Sequence, residues 1–373
     1  MNHLEALTIK AVSLLKELVR TPSFSREEGP TADILAAWLT TEGIPHHRCL
    51  HNVFATNLHF NPTLPTLLLN SHHDTVRPTN EWTLDPFQPL EQDGRLHGLG
   101  SNDAGGPLVT LLSTFLAFYP RQGLSHNLVV AATAEEEISG TNGIEHLLQD
   151  PSFLQCLQGS PITGAIVGEP TRMQMAVSEM GLLVVDALAL GKAGHAARNE
   201  GENALYRAMK DIQWLQTQPL DRPSEMLSKC RTTVTVMHTE NKAHNVVPDK
   251  CAFIVDVRVN DQYTFEEVLQ ILQQGMQSQL KPRSYRMKPT SISSQHPLVQ
   301  AGLQLGRHCY GSPTTSDKAL MPFPALKMGP GDSARSHTAD EYILPGEIEE
   351  GISIFCQLLE RAMQGSAGPN STI

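Results

Sequence analysis

The sequence has little that would tie it to a membrane, a disulfide framework or a nucleic acid. No apolar run reaches the ~18 residues needed to cross a bilayer as a helix. The N-terminal MNHLEALTIKAVSLLKELV is amphipathic and carries acidic residues. It lacks the cationic start, apolar block and small-residue cleavage site of a signal peptide, so a cytoplasmic location is expected. The six cysteines (Cys49, Cys156, Cys230, Cys251, Cys309 and Cys356) are far apart, with no C-x-x-C pair. Free thiols are therefore expected rather than disulfides or a thiolate metal site. The net charge is −11 and no Lys/Arg-rich block is present, which argues against nucleic acid and anionic membrane surfaces as partners. Several catalytic signatures are also missing. The absence of G-x-S-x-G argues against a serine hydrolase, and no H-E-x-x-H helix is found. Gly98–Asp103 matches half of a dinucleotide fingerprint but lacks the third glycine. No internal repeat is visible, and the tail GSAGPNSTI (365–373) is expected to fray.

At 373 residues the chain is long for one core, so two domains are expected. In the first half, Leu4, Leu7, Ala11, Leu14, Leu15 and Leu18 share one helix face, and Ile34, Leu35, Trp38 and Leu39 share another that Gly43 ends. Short apolar runs at 66–70, 127–133 and 163–168 read as buried strands, and 107–119 reads as a buried helix. This alternation predicts an α/β domain, a mixed sheet flanked by helices. A different pattern occupies 178–289. Strands are predicted at 182–190, 231–237, 251–259 and 284–288, with a helix after the first and another after the third, the latter opened by a Thr264–Glu267 capping box. The order β-α-β-β-α-β is that of a ferredoxin-like α+β sandwich. The α/β pattern resumes with a strand at 325–329 and a closing helix at about 346–363. The expected organisation is a catalytic domain of residues 1–177 and 290–373 interrupted by an inserted domain of 178–289.

Four of the apolar runs lead directly into metal-ligand residue types. The first is followed by His72 and Asp74, the second by Glu135, Glu136 and Glu137, the third by Glu169, and the 325–329 run by a segment holding His337. In open α/β sheets ligands bind beyond the carboxyl ends of the strands, so these segments can converge on one edge. A Gly-rich loop before the 107–119 helix adds Asp103. Two imidazoles and several carboxylates suit Zn²⁺ or a similar first-row ion. A carboxylate can bridge two ions ~3.5–4 Å apart that share a water and polarise a carbonyl. Asp74 stands two residues after His72, so on extended chain both side chains point the same way, and Asp74 can accept the second ring N–H of His72.

These motifs, in this order, resemble those of the dimetal aminoacylase and deacetylase peptidases (M20-type), and among them the acetylornithine deacetylases. HHDTV is similar to the family's H-x-D motif, Glu136-Glu137 to its adjacent Glu pair, VGEPT (167–171) to its third ligand motif, and SHTADEY (336–342) to its C-terminal His motif. The resemblance spans nearly the whole chain and implies a zinc-peptidase-like catalytic domain with an inserted dimerisation, or lid, domain. It implies that His72, Asp103 and Glu169 hold one divalent ion and Asp103, Glu137 and His337 the other, Zn²⁺ or Co²⁺, with Asp103 as bridge. It also implies a cis peptide at Asp103–Ala104 and Glu136 as general base. In the inserted domain, GKAGHAARNEG (191–201) resembles the family's Gly-His segment. His195 would then stabilise the oxyanion in a partner subunit's site, which implies a homodimer. Asn245 resembles a substrate-contacting Asn, and the planar fork of Arg258 suits a substrate carboxylate. Some positions depart from the pattern. Ser71 replaces a frequent Gly, His73 is a second imidazole beside the ligand, Ala104 leads straight to Gly105 and Gly106 where many relatives have Met-Lys, and the spacing after Glu137 is one residue longer than in some.

The expected activity is hydrolysis of an N-acyl amino acid, with N-acetyl-L-ornithine, a substrate of arginine biosynthesis, as first choice. An acylase or dipeptidase of the same type, including one for N-succinyl amino acids, is the enzyme alternative. A catalytically silent small-molecule-binding relative is the other, although such a relative should have lost a ligand or the base, and here every position is filled.

Overall fold

Leucines spaced at three and four residues make His3–Arg20 (α1) a helix with one apolar stripe, and Asn2 starts it through a reciprocal capping box with Glu5. Leu7, Ala11, Leu14, Leu15, Leu18 and Val19 are buried on that stripe. Truncating one of them, as in Leu15→Ala, costs about 2–5 kcal/mol. The computed structural model describes residues 2–198 and 200–364, so the tail at 365–373 lies outside it. Among the described residues no helix is long and apolar enough to cross a membrane, and all six cysteines are free.

The chain divides into two units, Met1–Val177 with Ser291–Tyr310 and Ser316–Ile373, and Ser178–Thr290 with Gly311–Thr315. In chain order the first unit supplies strand Thr66–His72 (β1), helix Gly106–Phe118 (α2), and strands Asn127–Thr133 (β2) and Ile162–Val167 (β3). The second unit follows with strand Gly181–Leu190 (β4), helix Ala204–Leu215 (α3), strands Arg231–His238 (β5) and Lys250–Val259 (β6), helix Phe265–Gly275 (α4) and strand Gln279–Pro282 (β7). The chain returns to the first unit at Ser291, and its last stretch there supplies strand Ala325–Lys327 (β8) and helix Pro345–Gln364 (α5).

In the first unit β2, β1, β3 and β8 lie side by side and parallel, and Asn52–Thr56 adds an antiparallel strand beyond β2. β1 and β2 are buried at every residue. Strands covered on both faces lose the in/out alternation, which is why they appear in the sequence as continuous apolar runs. The main core lies between one sheet face and α1, α2 and α5, where Phe115, Phe118, Phe355 and Leu15 are fully enclosed. A smaller cluster around Phe54, Phe153 and Leu147 covers the other face. In register, His72 pairs with Thr133, Asn70 with Val167, and Val167 with Lys327. The carboxyl ends of all four parallel strands therefore stand at one edge.

The second unit is a four-stranded antiparallel sheet in the order β5-β6-β4-β7, with α3 and α4 packed on its apolar face. Both halves of the Thr264–Glu267 capping box form, at 3.2 and 2.8 Å. The fourth strand is Gln279–Pro282, not 284–288 as its sequence suggests. It is an edge strand in which only alternate residues are even partly covered, so its apolar signal is weaker than that of the irregular segment after it.

Candidate metal centre

The segments that leave the carboxyl edge of the first unit bring six ligand-type side chains together. His72 is the last residue of β1 and is buried. Its Nε2 lies 3.3 Å from Asp103 Oδ1, 3.8 Å from Glu169 Oε1 and 3.9 Å from Glu136 Oε2. Across the site, His337 Nε2 lies 3.0 Å from Glu137 Oε2 and 3.7 Å from Asp103 Oδ2. Asp103 thus turns one oxygen to each imidazole. His72, Asp103 and Glu137 each offer a ligand atom within 4.8 Å of the others, and so do His72, Glu136 and Glu169.

The backbone that carries these groups is held by buried carboxylates that are not themselves ligand candidates. The loop bearing Asp103 is gripped by Glu341, which accepts N–H groups from Gly100 at 3.0 Å, Asn102 at 2.8 Å and Asp103 at 2.9 Å. Gly100 has φ +73°, and a Cβ there would come within 2.5 Å of Thr75 Cγ2, so the loop needs glycine. The Asp103–Ala104 peptide is cis. The Glu pair is held by Asp74, whose Oδ1 accepts from Glu136 N–H at 3.0 Å and whose Oδ2 accepts from Glu137 N–H at 3.1 Å and from Ser25 Oγ at 2.7 Å. Glu28, fully buried, accepts from Glu135 N–H at 3.1 Å, and the Glu135 carboxylate is itself held by the Asn142 side chain at 2.7 Å.

Asp74 therefore does more than the motif spacing suggests. The Nδ1–H of His72 donates to the Asp74 backbone carbonyl at 3.0 Å, and the Asp74 side-chain oxygen lies slightly farther off, at 3.4 Å. This fixes the proton on Nδ1 and aims the Nε2 lone pair into the site. His73 points the other way, with Nδ1 on Thr31 Oγ1 at 2.9 Å and Nε2 on the His51 carbonyl at 3.0 Å. Both its nitrogens are occupied, and burial pushes its pKa down to about 4, so it competes for no ion. Glu341, Glu28 and Ser25 carry no motif of their own. The one sequence signal for Glu341 is its place inside SHTADEY.

The electrostatics fit a cation. His72 Nε2 is buried with no hydrogen-bond partner, and it faces several carboxylates. Buried charges of one sign need a counter-charge or protons. Without a cation, protons fill that role. Burial pushes Glu136 well above the ordinary carboxylate range, and the neighbouring carboxylates of Glu169, Asp317 and Glu137 add to this against the pull of His72. Burial also raises Glu137, against its hydrogen bond to His337. His337 is raised to about 9, chiefly by its bond to Glu137. Burial opposes the charged form of His72, but Glu136, Asp103 and Asp74 outweigh it and hold the imidazole well above its usual value. Burial likewise opposes ionisation of Asp103, yet its contacts with His72 bring it down to about 2. Glu341 is raised to about 8 by burial and by Asp103.

The remaining site residues predicted from sequence lie in the second unit. His195 is exposed, bridges to Val246, and accepts from Ala197 N–H through Nδ1 at 3.2 Å. Asn245 is exposed beside it, its carbonyl accepting from Ala196 N–H at 3.0 Å. Arg258 makes a two-pronged ion pair with Asp256, at 2.9 and 3.1 Å. Register sets Arg231 opposite Arg258 across β5 and β6.

The sequence model of Peptidase family M20/M25/M40 matches residues 68–361. Similar curated proteins include succinyl-diaminopimelate desuccinylases from Methylobacterium radiotolerans, 30% identical over 69% of this chain and 69% of that protein, and from Beijerinckia indica, 27% identical over 68% of this chain and 69% of that protein. Among solved structures, an M20 family metallo-carboxypeptidase from Sulfolobus solfataricus aligns with a TM-score of 0.76 at 17% identity, covering 95% of this chain and 99% of that one. A dinuclear metal-binding M20 peptidase from Bacillus subtilis aligns at 0.69 and 15% identity, covering 96% and 98%. These likenesses support the zinc-peptidase-like α/β fold. The chain is a dinuclear metal-dependent amide hydrolase and belongs to peptidase family M20/M25/M40.

Proposed function

We propose that the chain hydrolyses the amide bond of an N-acyl amino acid, with an N-succinyl diamino acid as first substrate and N-acetyl-L-ornithine as second. The desuccinylase relatives support the first. The SHTADEY segment, by its resemblance to acetylornithine deacetylases, supports the second. The observation that carries the reading is the division of Asp103 between two imidazoles, with an unpartnered buried nitrogen on His72. In this reading His72, Asp103 and Glu169 hold one ion and Asp103, Glu137 and His337 the other. A nitrogen and oxygen donor set without thiolate suits Zn²⁺ or Co²⁺. Such a pair supplies Lewis-acid polarisation of the scissile carbonyl and lowers the pKa of water at the site.

The residues of the chain do the rest. Glu136 takes a proton from the attacking water and delivers it to the departing nitrogen. Its raised carboxyl, caused first by burial, lets it both hold and release that proton. Asp74 is a positioning residue that keeps Glu136 and Glu137 in register through their backbone N–H groups. His195 serves a second copy of the chain as oxyanion donor. Its exposure, with Nε2 free of hydrogen bonds among the described residues, supports that role. Asn245 and Arg258 bind the substrate carboxylate, Arg258 sharing its fork with Asp256 until substrate arrives. The partners are then a small N-acyl amino acid and a second subunit.

One experiment tests the reading. Protein loaded with Zn²⁺ or Co²⁺ is given N-succinyl-diaminopimelate, N-acetyl-L-ornithine and a dipeptide, and free amine is measured. Release from either acyl amino acid with the dipeptide untouched supports it. Release from the dipeptide alone refutes it.

A further inference from the structure

A second group of ligand-type side chains lies away from the dimetal site, under the smaller core cluster of the first unit. Cys49 ends the short strand His47–Cys49 and is buried, at 6% exposure. His146 lies in the short helix Ile144–Leu147, and Asp150 caps the helix Pro151–Leu157. One ligand atom from each lies within 4.8 Å of the other two. We propose that Cys49, His146 and Asp150 form a third, mononuclear site for a thiolate-seeking divalent cation of the Zn²⁺ class, separate from the catalytic pair.

Several features of the structure support this assignment. Asp150 Oδ1 is fixed by the helix it caps, accepting from Ser152 N–H at 2.8 Å, from Phe153 N–H at 3.3 Å and from the Ser152 hydroxyl. The carboxylate is thereby oriented, and the Cys49 thiol beside it helps to lower its pKa. Its contacts, with Ser152 first and Cys49 second, hold it at about 2, so it is an ionised ligand at neutral pH. The Asn52 side chain donates to the Cys49 carbonyl at 3.0 Å and fixes the turn that presents the thiol. The imidazole of His146 makes no hydrogen bond among the described residues, so a ring nitrogen is free to bind. Around a tetrahedral Zn²⁺ with bonds of about 2.0–2.3 Å the ligand atoms stand roughly 3.3–3.8 Å apart. Small side-chain rotations close that gap, and water completes the fourth position.

Thiolate, imidazole and carboxylate together favour Zn²⁺, Co²⁺ or Cd²⁺ over Mg²⁺ or Ca²⁺, which prefer all-oxygen shells. A nucleophilic role for Cys49 is disfavoured, since burial and then Asp150 push its thiol up to about 12. Binding forms the sulfur–metal bond as the S–H bond breaks, and the proton leaves to water. The distances in sequence, 97 residues from Cys49 to His146, explain why no metal motif is visible there.

The test exploits a chemical difference between the sites. The catalytic ligand set contains no sulfur, so thiolate-to-Co²⁺ charge transfer in the near ultraviolet reports the third site alone. Reduced full-length protein is titrated with Co²⁺ beyond two equivalents. The expected result is a charge-transfer band that saturates with one added equivalent, persists in Asp103→Ala and vanishes in Cys49→Ser, whose amide hydrolysis matches wild type. His146→Ala, which leaves the buried thiol in place, should weaken the band's Co²⁺ affinity roughly tenfold or more. The absence of a band in wild type, its survival in Cys49→Ser, or an unchanged affinity in His146→Ala would each overturn the proposal.

Discussion

Changing Glu341 to Gln removes one oxygen from a carboxylate that no ion is expected to touch, yet it should loosen the metal centre. Oε1 of Glu341 accepts from Asn102 and Asp103 N–H, and Oε2 accepts from Gly100 N–H. A Gln amide keeps one acceptor oxygen. If that oxygen stays on Asn102 and Asp103, the amide NH₂ faces the Gly100 N–H, donor against donor. In the ion-loaded protein, where the cation takes the place of the protons and Glu341 is ionised, leaving that buried N–H unsatisfied costs about 1–3 kcal/mol, and the two surviving bonds lose their charge assistance, roughly 0.5–1 kcal/mol each. The combined cost, about 2–5 kcal/mol, falls on the loop that aims both oxygens of Asp103. Part of it relaxes by shifting the loop, and the rest appears as weaker ion binding. Loss of such outer support typically costs about 10–100-fold in metal affinity. Competition with a chelator would measure the affinity, and a thermal melt of metal-free protein would separate general destabilisation from the local effect. Metal affinity within twofold of wild type, with a lowered melting temperature or without, would refute the view that Glu341 acts through Asp103.

Three other outcomes follow from the same geometry. Glu136→Gln should lower kcat about 10²–10⁴-fold while metal content stays at the wild-type level; loss of an ion would instead identify Glu136 as a ligand. His195→Ala should lower kcat with little change in metal content, and mixing it with inactive Asp103→Ala should restore activity if the imidazole serves the partner subunit; no recovery in mixed dimers would confine the role to its own chain. For metal-free protein, His337 rises from 6.5 to about 9 and Glu341 from 4.5 to about 8 on folding. A raised folded pKa means the native state holds protons that the unfolded chain has released, so stability present at low pH is lost as pH climbs through those values. The melting temperature in chelator should fall between about pH 4.5 and 9, Glu341 contributing up to about 8 and His337 from 6.5 to about 9, and saturating Zn²⁺ should remove that fall, because the cation takes the place of the protons; a flat or rising profile without metal would contradict the charge crowding described here.

Much of this site was legible in the sequence because its chemistry sits where strands end. β1 and β2 are buried at every residue and β3 from Gly164 on, so each contains a short apolar run, and metal-ligand residue types follow each run. The ferredoxin-like order was legible for the complementary reason. β4 and β6 alternate buried and half-buried residues, and Thr264 and Glu267 mark a helix start. Partners that act through the backbone were not legible. Glu341 and Asp103 are 238 residues apart and meet through an N–H, which has no residue code. The same holds for Glu28 on Glu135 and for the grip of Asp74 on the Glu pair. The strand Asn52–Thr56 was missed because five residues, one of them the polar Asn52, give too short a pattern, and the edge strand β7 was misplaced because it buries almost nothing.

The arrangement of ligands also bears on the order of events during synthesis. Four of the candidate ligand segments emerge from the ribosome early, but β8 slots beside β3, and His337 and Glu341 reach the loop at 100–103 only after the whole intervening unit has been made. Until then Asp103 has no clamp and the acidic cluster lacks its second imidazole. A nascent chain halted before residue 325 therefore carries five of the six candidate ligands without His337 or the Glu341 clamp, and on the proposed ligand assignment capture of the second ion becomes one of the last steps in maturation.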